Sequence, residues 1–145
     1  MKSIVALVTV AALIAPGVAL AEISKKFGDI EIHYNAISTD ELVPEVAKSY
    51  KLDRSKNRGL LTISVLKKNN LGVGQPIKAS INASAVNLSL QLQNIDMREI
   101  QEGNAIYYLG EYRITAPETL KFKLEVKPAG TDQNYKVEFQ QQFFR

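Results

Sequence analysis

From residue 30 onward the chain alternates apolar and polar positions with a period of two, the pattern of strands that bury one face and wet the other. Leu120, Phe122, Leu124 and Val126 are interleaved with Lys121, Lys123 and Glu125. Tyr135, Val137, Phe139 and Phe143 repeat this against Lys136, Glu138, Gln140 and Gln142. Ile30, Ile32 and Tyr34 alternate with Asp29, Glu31 and His33, and Leu61, Ile63 and Val65 with Thr62 and Ser64. The inward set predicts a core that includes Ile32, Ile63, Leu109, Phe122, Leu124 and Phe139.

Three further strands lie between these. Ile77, Ala79, Ile81, Ala83 and Ala85 mark the first, after which the apolar phase slips to Val86, Leu88, Leu90 and Leu92. It slips back at Ile95 and Met97. A one-residue slip sends every side chain to the opposite face, so each change needs a turn or a bulge. The expectation is a tight turn near Asn87 to Leu90, a bulge near Gln93-Asn94, and a strand carrying Ile95 and Met97. Gly103-Asn104 reads as a two-residue hairpin turn into Ala105 to Ile114.

Turn residues punctuate the remainder at Asn69 to Pro76, Ala116-Pro117 and Pro128 to Asn134. About seven short strands at such spacing predict an all-β, immunoglobulin-like two-sheet sandwich, with a small closed barrel as the alternative. One segment breaks the period. Ser38 and Glu41 have capping-box spacing and Pro44 suits a first helical turn, so one or two turns are expected across Pro44 to Tyr50. Lys51 to Gly59 has no periodicity and reads as a loop. No internal repeat is visible, so residues 22–145 are expected to form one domain.

The first residues follow a different rule. Lys2 precedes an apolar run from Ile4 to Ile14, and Ala19-Leu20-Ala21 places small residues where a signal peptidase reads them. The run is about half the length that crosses a bilayer, which takes roughly 20 residues. Residues 1–21 therefore read as a cleavable signal peptide, with cleavage after Ala21, a periplasmic destination and no membrane span left in the product. Removing Lys2 lowers the formal charge from +3 to +2. That is no concentrated basic field, and with export it argues against nucleic acid as a partner. The chain has no Cys, so disulfides, thiol nucleophiles and thiolate metal sites are excluded.

The run Tyr50-Lys51-Leu52-Asp53-Arg54-Ser55-Lys56-Asn57-Arg58-Gly59, leading into Leu61-Thr62-Ile63-Ser64-Val65, resembles a family of small exported bacterial proteins known as domain of unknown function 4426. The resemblance extends to Phe27-Gly28-Asp29, His33-Tyr34-Asn35, Pro44-Glu45-Val46-Ala47, Arg98-Glu99-Ile100 and Ala105-Ile106-Tyr107-Tyr108-Leu109. It departs at Asn87 to Leu92, where a glycine is expected in the turn. It implies a periplasmic sandwich domain and supplies no catalytic residue.

Candidate chemistry is sparse. His33, with Glu31 two residues away on one face, could share a metal, but no cluster of ligands accompanies them and no metal or other cofactor is expected. No serine sits in a nucleophile elbow, Ser55 has no identifiable base, and no phosphate-binding glycine motif occurs. Glu99 and Glu102 could serve carboxylate-based hydrolysis only if the fold brought them to face one bond. Tyr107 and Tyr108 point to opposite faces of a strand, so at least one belongs to the core. The best candidate is the basic loop, with Lys51, Arg54, Lys56 and Arg58. Arginine forks pair phosphate or carboxylate, so an anionic envelope ligand or a protein partner fits, whereas the competing reading has these arginines fix the loop to its own domain. The leading expectation is a non-enzymatic periplasmic binding or interaction module. The alternatives are a carboxylate-based envelope hydrolase and a structural subunit of an envelope complex.

Overall fold

The computed structural model describes residues 23–145. The expected signal peptide and its cleavage site lie outside the described residues. Ten strands run in the order β1 (Ile23–Phe27), β2 (Ile30–Ser38), β3 (Arg58–Lys68), β4 (Gly74–Pro76), β5 (Ala79–Val86), β6 (Leu92–Ile95), β7 (Arg98–Glu102), β8 (Ala105–Arg113), β9 (Glu118–Pro128) and β10 (Tyr135–Phe143). A 3₁₀ turn (Thr39–Glu41) and helix α1 (Pro44–Ser49) fall between β2 and β3. One sheet is ordered β1-β2-β3-β8-β7, with β4 also paired to β3, and the other β10-β9-β5-β6. Every pairing is antiparallel. The fold is the expected β-sandwich, and the barrel alternative falls because the two sheets remain separate.

The strands follow the alternation that defined them. Ile30, Ile32, Tyr34 and Ala36 of β2 face inward, as do Leu61, Ile63 and Val65 of β3 and Leu120, Phe122, Leu124 and Val126 of β9. Between the sheets, Phe122 stacks on Phe139 at 4.8 Å and meets Tyr112 edge-on at 5.0 Å, while Tyr34 lies 4.6 Å from Phe139. Each such aromatic pair adds about 0.5–1.5 kcal/mol beyond the area it buries. Of the six core residues expected, Ile32, Ile63, Phe122 and Leu124 sit in this layer and Phe139 packs partly buried against it. Leu109 is buried elsewhere. It joins Ala47, Leu52 and Leu60 in a second, smaller core, where α1 covers the outer face of the larger sheet.

Three expectations need correction. Ser38 makes no side-chain cap on the 3₁₀ turn despite the capping-box spacing, because its hydroxyl bonds Asp40 and the Ser55 carbonyl instead. Gln93 and Asn94 form no bulge. They sit in regular register opposite Ala85 and Ser84. The phase slips arise from the turn after β5 and from a change of sheet: the single strand expected around Ile95 and Met97 is β6 in one sheet and β7 in the other. With β1 and β4 also unrecognised, this accounts for ten strands in place of about seven.

Candidate functional site

The basic loop is built as a ledge on the end of β2. Tyr50 ends α1 and Lys51 takes a left-handed backbone, φ 57°, which turns the chain so that Leu52 drops into the second core. Thr39 is fully buried, and its Oγ1 donates to the Asp53 carbonyl at 2.8 Å while accepting the Ser55 N–H at 2.9 Å. Arg54 donates from Nε to the Leu42 carbonyl at 2.7 Å and from Nη2 to the Asp40 carbonyl at 2.8 Å. One hydroxyl and one guanidinium thus satisfy four backbone groups that have no strand partner, in and beside the loop.

The four basic residues do not form one surface, although Lys51 and Arg54 border a shallow cleft together with Lys48. Lys51 lies at the helix end and Arg54 is taken up in the clamp. Lys56 borders a cleft of about 450 Å³ that it shares with Asp40, Glu41 and Arg145. Arg58 opens β3 directly opposite Arg113, the last residue of β8, and both side chains are exposed. These two line a second cleft of about 630 Å³ with Asn57, Gln93 and Asn94. Arg58 Nη1 lies 3.6 Å from Glu111 Oε1 across half-exposed side chains, a pairing worth little in water. Gln93 holds the floor of this cleft. Its Nε2 donates to the Arg113 carbonyl at 3.0 Å and its Oε1 accepts the Arg113 N–H at 2.9 Å, so one side-chain amide stands in for a neighbouring strand.

The other candidates are distributed through the fold. Asp29 lies in the β1–β2 turn, off the strand that carries Glu31 and His33, and its carbonyl accepts the Lys68 N–H at 2.9 Å. On the outer face of β2, His33 Nε2 lies 3.5 Å from Glu31 Oε1, which also accepts from Ser24 Oγ at 3.0 Å. Among the described residues no group of three His, Cys, Asp or Glu could hold a metal ion. Glu99 and Glu102 are three apart on β7 and so point to opposite faces. Glu99 accepts from Tyr108 Oη at 3.0 Å and pairs Lys78 at 3.6 Å, whereas Glu102 accepts from Tyr50 Oη at 2.6 Å. They do not flank a common bond. Tyr108 joins the core, while Tyr107 stays partly exposed. Burial raises the Tyr108 pKa, assisted by Glu99 and opposed by the Ala79 N–H that bonds its oxygen; the Glu102 hydrogen bond is the main cause of the rise at Tyr50.

Arg113, Glu111 and Gln93 are not legible as site residues in the sequence, because they stand more than 30 residues from the loop they face. The register of β3 against β8 brings Arg113 and Glu111 to it, and Gln93 arrives from β6 of the other sheet through its bonds to Arg113. An arginine ending a strand opposite another carries no local signature.

The family model described as "Domain of unknown function (DUF4426)" matches residues 24–145. Among solved structures, a DUF4426 family protein from Pseudomonas aeruginosa PAO1 superposes with a TM-score of 0.71 at 30% identity, covering 85% of this chain and 94% of that one. FetP of uropathogenic Escherichia coli strain F11, solved as isolated after periplasmic expression, superposes at 0.60 with 12% identity, covering 85% of this chain and 93% of that chain. A copper-bound variant of FetP has the same score and identity and covers 85% and 95%. At that identity the FetP likeness speaks to the fold alone. No curated protein matches the chain.

Proposed function

The chain belongs to the DUF4426 family, and within it we propose a non-enzymatic periplasmic binding module that takes an anionic group in the cleft between Arg58 and Arg113. The observation that carries this is the register pairing of two arginines on adjacent strands. Like charges placed directly opposite on a sheet are destabilising, and a bound phosphate or carboxylate relieves that cost while accepting from both forks. A rigid floor supports the reading, since the Gln93 amide fixes the backbone of Arg113 and the Arg54 clamp fixes the loop ahead of Arg58. Of the basic-loop residues, Arg58 is the proposed contact, Lys51 and Lys56 add to the local field, and Arg54 is assigned to structure. The hydrolase alternative has no support in the placement of Glu99 and Glu102. Among the described residues no helix is long and apolar enough to cross a membrane.

Titration with inorganic phosphate and with acetate, followed by backbone amide shifts, tests the assignment. Saturable shifts should centre on Arg58, Arg113 and Gln93, weaken as salt contracts the screening length to about 8 Å, and vanish in the Arg58→Gln/Arg113→Gln pair with melting little changed. Arg54→Gln should do the reverse, costing about 1 kcal/mol of stability while the shifts persist. Shifts that ignore Arg58 and Arg113, or survive their loss, would remove the cleft as the site.

A further inference from the structure

Leu88, Leu90 and Leu92 lie in and just after the turn that joins β5 to β6, and they are 83%, 84% and 65% exposed. They occupy the slipped apolar phase that the sequence shows after Ala85. That phase buries no second face. Leu92 pairs Val86, and both point to the outer side of the smaller sheet. Leu90 also takes a left-handed backbone, φ 61°, a conformation that residues other than glycine and asparagine avoid. An apolar side chain left in water at a strained position has no use to the fold, because glycine would fit the turn better.

We propose that this turn is a membrane-surface anchor, whose leucines insert into the interfacial zone of a phospholipid bilayer. Four further observations favour a lipid surface over a protein. From Ala79 to Ile95 no residue is charged, in a chain that is 23% charged. The turn pairs the backbone N–H groups of Asn87, Leu90 and Gln91 within itself, which lowers the cost of approaching a medium that offers no hydrogen bonds. Asn87 O accepts the Leu90 N–H at 3.0 Å, Asn87 Oδ1 accepts the Gln91 N–H at 2.9 Å, and the Asn87 N–H reaches the Gln91 carbonyl at 3.2 Å. Asn87 Nδ2 donates to Gln91 Oε1 at 2.8 Å, closing the turn with side chains as well. The large apolar side chains exposed on the tip are all leucine, whereas protein hot spots favour Trp, Tyr and Arg and under-use leucine. Finally, the charges around it suit a headgroup layer. Lys121 stands opposite Val86 and Lys123 opposite Ser84. Glu138, 3.5 Å from Lys121, and Glu111 and Glu118 temper that charge, so the apolar contribution dominates. The inference does not rest on the arginine cleft.

Flotation of protein purified from the periplasm with vesicles of phosphatidylethanolamine and phosphatidylglycerol, and with neutral phosphatidylcholine vesicles, tests it. The unmodified protein should float with both, its affinities agreeing within about tenfold, because the tip is uncharged. Leu90→Gly should lower partitioning about tenfold while leaving the melting midpoint unchanged or up to about 6 °C higher, since it removes the strain. Leu88→Ser, Leu90→Gly and Leu92→Thr together should abolish flotation in a folded protein. The Arg58→Gln/Arg113→Gln pair should float within about threefold of the unmodified protein, which separates this surface from the anion cleft. Failure of the unmodified protein to float, flotation that requires phosphatidylglycerol, undiminished flotation of the leucine variants, or a lowered midpoint in Leu90→Gly would each overturn the anchor. Crosslinking of the turn to a protein while the vesicles stay bare would assign it to a protein partner instead.

Discussion

Tyr112 occupies a demanding position in the sandwich. Its ring lies across Gly59, where a Cβ would overlap it, and its hydroxyl donates to the Ile37 carbonyl at 3.1 Å. One side chain of β8 therefore spans β3 and ties down the end of β2 that supports the basic loop. Burial raises the pKa of this phenol far above its ordinary value of 10.0, with the nearby Glu41 carboxylate adding to the rise. The folded state thus holds the proton more tightly than the unfolded chain does. Its contribution is fully present below about pH 10 and is lost as pH rises beyond that, when only the unfolded chain ionises. Denaturant midpoints should accordingly stay level from neutral pH to about pH 9.5 and then fall. In Tyr112→Phe the neutral-pH midpoint should drop, because the Ile37 carbonyl loses its partner, and the alkaline decline should be shallower. An alkaline slope identical in the two proteins would show that Tyr112 is not the group responsible. At this scale the sequence was only partly legible. It placed Tyr112 on the strand expected from Ala105 to Ile114, but the glycine that admits the ring is 53 positions away.

Among the elements, β9 shows most directly how patterning becomes stability. It is an inner strand of the smaller sheet, paired to β10 from Glu118 to Val126 and to β5 from Lys121 to Pro128, so its inward side chains cannot reach solvent at an edge. Phe122, at its middle, is fully buried and touches aromatic rings from both sheets. Phe122→Ala removes the ring and leaves a cavity that the neighbouring rings of Tyr112 and Phe139 cannot close together. The expected cost is about 3–5 kcal/mol by equilibrium unfolding, and a loss under about 1 kcal/mol would mean the layer repacks freely. Strands like this one were readable because one face is wet. The elements that were not readable fail the period for physical reasons. In β1 the exposed residues outnumber the buried, β4 is three residues long, and β6 and β7 are short pieces separated by a crossing between sheets. The slipped leucines of the β5–β6 turn look like a strand because alternation reports chemistry, while burial depends on what the sheet places opposite.

For the whole molecule, the question is whether the two cores behave as one unit. The inter-sheet core draws residues from both sheets, and the smaller core rests on the outer face of the larger one. Leu60 and Leu61 are adjacent on β3, one in each core, and Leu109 and Tyr108 divide β8 in the same way. Neither core can open without moving a strand that the other holds, so the chain is expected to unfold in one cooperative step. No disulfide can lock part of it in place, since it has no Cys, and reductant should change nothing. The test uses two probes that report different regions. Tyrosine fluorescence is weighted toward Tyr34, Tyr108 and Tyr112 in the inter-sheet layer, whereas far-ultraviolet circular dichroism follows both sheets together. Their urea curves should coincide. Leu52→Ala, which thins the outer core, should shift both by the same amount and keep the slope. Two separated transitions, or a Leu52→Ala variant that loses dichroism before fluorescence, would show that α1 and the basic loop fold as an appendage and that the anion cleft does not share the stability of the sandwich.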